Sequence, residues 1–220
     1  MPKVGQVVKV PPSRIVPKVV AKKPLPVVVQ GTPFQRHVAK WSSCAACELS
    51  GQRSKVCHFR GAIPCDVLLI GEAPGQSEDV LGRPFVGPAG QLLDQMVSEA
   101  SAGGIARYGY ANLVGCFPRE AKDAGTNEPS DESIKACVGR LAEIVAMTRP
   151  RIVVRVGKLS TKWVNKFAAK YGILGNVRSV DVIHPAAILR MDDPVQKDHH
   201  IRTTVVRLKT AMDECGLIPF

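Results

Sequence analysis

The sequence predicts an α/β fold, a three-layer α/β/α sandwich around a central four-stranded parallel sheet. Three observations carry this reading. Four short runs are almost continuously apolar: "DVLLIG" (66–71), "YANLVG" (110–115), "IVVRVG" (152–157) and "SVDVIH" (179–184). Strands covered on both faces read in this way. Helical patterns at about 89–101, 131–147 and 159–170 separate the runs, and a last one fits about 197–215. Strand alternating with helix implies a parallel sheet with helices on both sides. Finally, 220 residues at 45% apolar supply the core of one such domain.

Taken in chain order, residues 1–33 come first, a Pro-, Val- and Lys-rich stretch that proline keeps from forming a packed element. The net charge is +11, and residues 1–40 carry eight Lys or Arg and no Asp or Glu, so only +3 falls on the remaining 180 residues. A basic tail of this kind is read as disordered and solubilising, or as a polycation that adds non-specific affinity for nucleic acid. The folded domain is expected over 34–220. Lys and Pro interrupt every apolar core in the tail, which argues against a signal peptide. No apolar run approaches the roughly 18 residues of a membrane span. The expectation is a soluble, cytoplasmic protein with no membrane association.

A cysteine-bearing segment follows at about 37–60, and then the first strand. "PSDESIKACVGRLAEIV" has Ser130 as N-cap, with Ile134, Cys137, Val138, Leu141, Ile144 and Val145 on one helical face. There is no internal repeat. Ligands of open parallel sheets bind beyond the carboxyl ends of the strands. The residues that matter most therefore end the four runs: Gly71-Glu72, Asn112 through Cys116, Gly157, and His184-Pro185.

The stretch after the first strand, "GEAPGQSEDVLGRPFVGPAG" (71–90), is far longer than the usual strand-to-helix turn of about two to six residues. It contains no G-x-G-x-x-G and no G-x-x-x-x-G-K-[ST], which excludes the common dinucleotide and P-loop sites. Each chemical residue here has a plain alternative. Phe85 can plug the loop as a core residue. Asn112 can cap a turn. His184 can be a satisfied core or capping imidazole, and Glu72 can bind the loop's own amides. Arg190 and Arg83 suit either phosphate or solvent. Of seven cysteines, Cys44 and Cys47 form a metal half-site. The other half is either Cys57 with Cys65, which suits zinc, or Cys116 with Cys137.

The residues "GEAPGQSED", "GRPFVGPAGQLLD", "YANLVGC", "HPAAILR" and "CAAC" together resemble the family 4 uracil-DNA glycosylases, the iron–sulfur branch of that superfamily. The resemblance covers about 40–215 and leaves the tail outside. It implies a hydrolase that removes uracil flipped out of DNA and leaves an abasic site. By resemblance Phe85 stacks on the base, and the Asn112 amide reads its edge. His184 donates to uracil O2, and Glu72 positions or activates water. Ala73 or nearby backbone excludes the thymine methyl. The glycines of "GPAG", Gly87 and Gly90, and Arg190 face DNA phosphate. The same resemblance selects Cys44, Cys47, Cys116 and Cys137 as ligands of a structural 4Fe–4S cluster. Cys65 is then a packed thiol, and Cys57 has no assigned role.

One departure from the family pattern stands out. Twenty-one steps separate Cys116 from Cys137, with an insertion of about five residues around "EAKDAG", and Glu128 stands in place of an expected Arg. The insertion has no His, unlike the basic insertion of the relative that stays covalently bound to uracil-DNA. The expected state is a monomer acting on uracil-containing DNA in the nucleoid. The alternative reading is an inactive glycosylase-like domain that senses DNA as a partner of replication proteins.

Overall fold

A computed structural model describes residues 31–101, 103–119, 127–174 and 177–218. Residues 1–30 of the tail and all of the "EAKDAG" insertion (120–125) lie outside the described residues. The strands are β1 (Arg60–Gly61), β2 (Val67–Gly71), β3 (Tyr108–Asn112), β4 (Ile152–Val156) and β5 (Arg178–Val182). The helices are α1 (Pro33–Trp41), α2 (Gln76–Leu81), α3 (Pro88–Ser101), α4 (Asp131–Thr148), α5 (Lys158–Tyr171), α6 (Pro185–Leu189) and α7 (Pro194–Glu214).

The sheet order is β1-β3-β2-β4-β5. Four of these strands are parallel, as expected, and β2 lies between β3 and β4. The sheet has five strands rather than four, because β1 pairs antiparallel with the outer side of β3 through Arg60↔Tyr110 and Gly61↔Gly109. A two-residue strand has no readable period, so nothing in the sequence announces it.

Side chains alternate across the sheet. Leu68, Ile70, Ala111 and Val153 face α4 and α5, meeting Ile134, Leu141, Trp163 and Phe167. Val67, Leu69, Tyr110 and Val154 face the opposite way, against Leu93 and Met96 of α3 and Val205, Leu208 and Met212 of α7. These two cores make the three layers. No helix among the described residues is long and apolar enough to cross a membrane.

The structure differs from the sequence reading at the bounds of β3, β5 and α7 and in the unexpected helices α1, α2 and α6. β3 starts at Tyr108 and ends at Asn112, two or three residues earlier than the apolar run. Leu113 and Val114 are fully buried outside the strand, their amides bonded to Gly71 O (2.9 Å) and Glu72 O (3.2 Å). An apolar residue that leaves a strand into the core looks the same in sequence as one that stays. α7 begins at Pro194, since Asp193 caps it through Val195 N–H at 2.8 Å. α1 was not expected at all, yet its signal is present. Thr32 and Gln35 form a capping box, with Thr32 N–H to Gln35 Oε1 at 2.7 Å and Gln35 N–H to Thr32 Oγ1 at 3.2 Å.

α1 docks on α4 through Glu143, which accepts from Trp41 Nε1 (2.7 Å), contacts His37 Nδ1 (2.9 Å) and pairs with Lys40. The His37 ring meets the His58 ring edge-on, with centroids 5.4 Å apart. Burial lowers both imidazoles, and Arg140 beside them adds to it. His58 falls to about 4. Each is therefore neutral in the fold, and protonation opposes folding. Stability held by the pair is fully present above the unfolded value of 6.5 and is lost as pH falls toward the folded values. The His58→Gln variant is expected to lose less stability than wild type between pH 6.5 and 4, measured as melting temperature against pH. Parallel curves would remove His58 as a cause.

Candidate active site

The 71–90 stretch is not an open loop. It contains α2, and Glu78 on that helix turns back to bind the stretch's own amides. Its Oε1 accepts from Val86 N–H (2.9 Å) and Gly87 N–H (2.8 Å), and its Oε2 accepts from Gly75 N–H (3.1 Å). The loop-binding carboxylate is thus Glu78, not Glu72. Asp79 anchors the other side of α2, accepting from Ser54 N–H (2.8 Å) and Arg119 Nη2 (2.5 Å). The expectation that Gly87 offers its amide to phosphate is corrected, because that hydrogen is taken by Glu78.

This closure places Phe85 with φ of 54°, a left-handed conformation costly for a large L-residue. Gly90 makes room for it, since a β-carbon there would lie 2.1 Å from Phe85 O. The Phe85 ring reaches Gly71 at the end of β2. A β-carbon at Gly71 would sit 2.5 Å from Phe85 Cζ and 2.5 Å from Asn112 Oδ1. Aromatic ring and carboxamide therefore meet over a bare glycine backbone.

Asn112 is only 4% exposed. Its carbonyl is held by Arg140 Nη2 at 2.5 Å, while Arg140 Nη1 donates to Cys57 O and His58 O, both at 3.2 Å. Arg140 is 1% exposed. It is a cation in the middle of an otherwise apolar helix face, and that mismatch is the signal that the sequence reading missed.

His184 caps α6, and its Nδ1 accepts Ala186 N–H at 3.2 Å. An accepting Nδ1 leaves the proton of the neutral ring on Nε2. Burial, helped by nearby Arg190, lowers its pKa further, against a weaker opposing pull from Glu78. The ring is a neutral Nε2–H donor at pH 7. Gly157, at φ of 91°, lets it approach, as a β-carbon there would lie 3.1 Å from His184 Cβ.

Glu72 follows β2 directly. Burial, with the Glu128 carboxylate adding to it, pushes Glu72 up to about 7. Glu72, Ala73, Phe85, Gly90, Asn112, His184 and Arg190 all line one cleft of about 1520 Å³ at the carboxyl ends of the parallel strands. Arg83 is exposed and is not among the lining residues. Phe117, Lys158 and Lys162 line the cleft and were not singled out from sequence.

Cys116 and Cys137 belong to the core on the α4 side, and Cys47 packs against it. Arg53 bridges toward them, with Nη1 3.6 Å from Cys116 Sγ and Nη2 2.6 Å from Cys44 O. Among the described residues no group of three or more His, Cys, Asp or Glu side chains is set to hold a metal ion. Cys57 donates to Glu78 O at 3.0 Å, which supplies the role it lacked. Burial pushes the Cys57 and Cys65 thiols each up to about 12.

A family model described as the uracil DNA glycosylase superfamily matches residues 58–209, and the chain belongs to that superfamily. Its relatives narrow the assignment to the type-4 branch. The type-4 uracil-DNA glycosylase of Pyrobaculum aerophilum is 33% identical over 165 residues, 67% of this chain and 80% of that one. That of Sulfurisphaera tokodaii is 32% identical over 162 residues, 67% of this chain and 71% of that one. That of Saccharolobus solfataricus is 32% identical over 171 residues, 70% and 76%.

Two outcomes are expected from this geometry. Glu78→Ala leaves three loop amides without their carboxylate and should cost about 2–5 kcal/mol in urea unfolding, with faster proteolysis within 75–87. An unchanged midpoint would sink the clamp. Glu72 behaves oppositely with pH. Its folded pKa of about 7 lies above the ordinary 4.5, so the unfolded chain ionises first and stability falls as pH rises between those values. Glu72→Gln should raise the melting temperature at pH 8 and leave it nearly unchanged at pH 4.5.

Proposed function

We propose that this chain hydrolyses the N-glycosidic bond of uracil flipped out of DNA, leaving an abasic site and an unbroken strand. The observation that carries the reading is the meeting of an aromatic face, a carboxamide, a neutral imidazole donor and a carboxylate in one cleft. An extruded pyrimidine lies on the Phe85 ring, a contact open to any base. Asn112 supplies selectivity, its amide oxygen accepting from uracil N3–H and its amide NH₂ donating to O4. Cytosine presents the reverse pattern and leaves both groups unpaired. Ala73, which lines the same cleft, is the proposed residue that excludes a 5-methyl group.

As the bond breaks, the sugar becomes cationic and the base anionic. The His184 Nε2–H meets the charge growing on uracil O2 without having to lose or gain a proton. Glu72, when ionised, orients the water and opposes the sugar charge. Gly90 and Arg190 are the proposed phosphate contacts at the cleft rim. The proposed working form is a monomer acting on DNA. The folded domain is taken to begin near Gly31, with the basic tail adding non-specific DNA affinity. A DNA sensor without turnover rests only on the insertion and on Glu128, and the intact set Glu72, Phe85, Asn112 and His184 argues against it.

The proposed cofactor is a 4Fe–4S cluster on Cys44, Cys47, Cys116 and Cys137. The donor set fits: all four are thiols, three are near one core edge, and Arg53 offers hydrogen bonds to a ligand sulfur and a ligand carbonyl. A cluster is larger than a single ion and holds its thiolates farther apart. When bound it would cross-link the 44–47 segment to β3 and α4, and the residues of the cleft do the chemistry. Purified protein should be brown and carry about four iron and four sulfide per chain. Substituting Cys137 by Ser should remove them, and a colourless wild type containing zinc would refute the cluster.

The decisive assay incubates the protein with single- and double-stranded oligonucleotides containing one uracil, followed by alkali. Wild type should produce an alkali-labile site. His184→Ala should lose about 10²–10³ in rate while keeping DNA affinity. The rate should climb with pH through about 7 as Glu72 ionises. No cleavage by wild type would overturn the glycosylase reading.

A further inference from the structure

We propose that α5 carries a track for the DNA backbone, leading one strand away from the flipped nucleotide. Lys158, Lys162, Lys166 and Lys170 recur at every fourth position of this helix, and α5 contains no Asp or Glu. All four are exposed. Among the described residues none of them forms an ion pair, whereas Lys40, Arg60, Arg107, Arg119, Lys135, Arg155, Arg178 and Arg202 do. A four-residue step advances about 6 Å and turns about 40°, so the ladder covers about 18 Å while winding about 120° round the helix. That length matches about five phosphates of one strand at about 3.4 Å of axial rise each.

The ladder starts at the active site. Lys158 and Lys162 line the same cleft as His184 and Asn112, and Lys166 and Lys170 continue outward. Of the acidic residues lining this cleft with Lys158 and Lys162, Asp181 is already engaged by Thr161 Oγ1 at 2.7 Å and Arg155 Nη2 at 2.9 Å, and Glu78 by the loop amides. Aromatic rings lie beneath the ammonium groups. Lys162 and Lys166 sit 5.8 and 4.4 Å from the Trp163 ring, and Lys170 sits 5.2 Å from the Tyr171 ring. Such contacts hold lysine heads along the helix surface rather than free in solvent. Unpaired charge, regular spacing and continuity with the cleft select a polyanion that passes through the cleft, which is the DNA strand itself.

The direction of the track rests on the glycosylase reading, but its existence is testable without it. The full-length chain and a Lys162→Gln, Lys166→Gln, Lys170→Gln triple variant are titrated with fluorescent, uracil-free single- and double-stranded DNA over a series of salt concentrations. Glutamine keeps the helix. Each lost phosphate contact should lower the slope of log K against log salt by about 0.7 on single strands and about 0.9 on duplex. The triple variant should therefore lose about 2–3 in slope. A control removing the same charge elsewhere, Lys40→Gln, Lys135→Gln, Lys209→Gln, should keep the wild-type slope. An unchanged slope in the ladder variant, or an equal loss in the control, overturns the track and leaves the ladder as a face for an acidic protein. A slope loss confined to the ladder variant supports the track even in a preparation that excises no uracil, a result that would count against the glycosylase reading alone.

Discussion

Glu78 accepts hydrogen bonds from the amides of Gly75, Val86 and Gly87, and so ties the two ends of the glycine-rich stretch to one buried carboxylate. The rest of the site follows from that closure. It pins Phe85 in a backbone conformation the residue would not choose alone. It brings the ring to Gly71, where the absence of a β-carbon lets Asn112 approach from the other side. Strain at Phe85 persists because three charge-assisted bonds oppose it. The glycines earn their place less by flexibility than by leaving space in which two side chains can meet.

The two groups closest to the proposed chemistry are tuned by the same cause with opposite sign. Burial disfavours charge. It raises Glu72 to about 7 and lowers His184. The imidazole is thereby kept as a neutral donor, and the cap bond from Ala186 N–H chooses which nitrogen carries the proton. The carboxylate is left near its midpoint at neutral pH, where small changes in its surroundings alter its ionisation. Glu128 is one such neighbour, and it stands where the family pattern expects a cation.

A buried cation links regions that look separate along the chain. Arg140 lies three residues after Cys137 on α4, and its guanidinium holds the Asn112 backbone carbonyl at the end of β3. Helix α4 therefore carries both Cys137 and the side chain that holds the end of β3 at Asn112. α1 is fastened to that helix as well, through Glu143.

Much of this was legible in the sequence. The four parallel strands, the large helices and the cleft residues Glu72, Asn112 and His184 followed from apolar runs, helical period and strand-end position, and Phe85 from the family resemblance of its loop. Those signals are local, because a buried strand must be apolar throughout and a sheet's ligand must sit at its carboxyl edge. The sequence did not show which carboxylate binds the loop, because Glu72 and Glu78 differ only in where the chain turns them. Nor did it show that Gly87's amide is taken, that β3 ends before its apolar run does, or that Arg140 reaches Asn112. Each of these depends on contacts between residues far apart in the chain or on a turn that reverses it. Residue type and spacing determined the elements and the kinds of chemistry available. Only the tertiary structure decided which groups meet, since burial and hydrogen-bond partners exist only once the layers are packed.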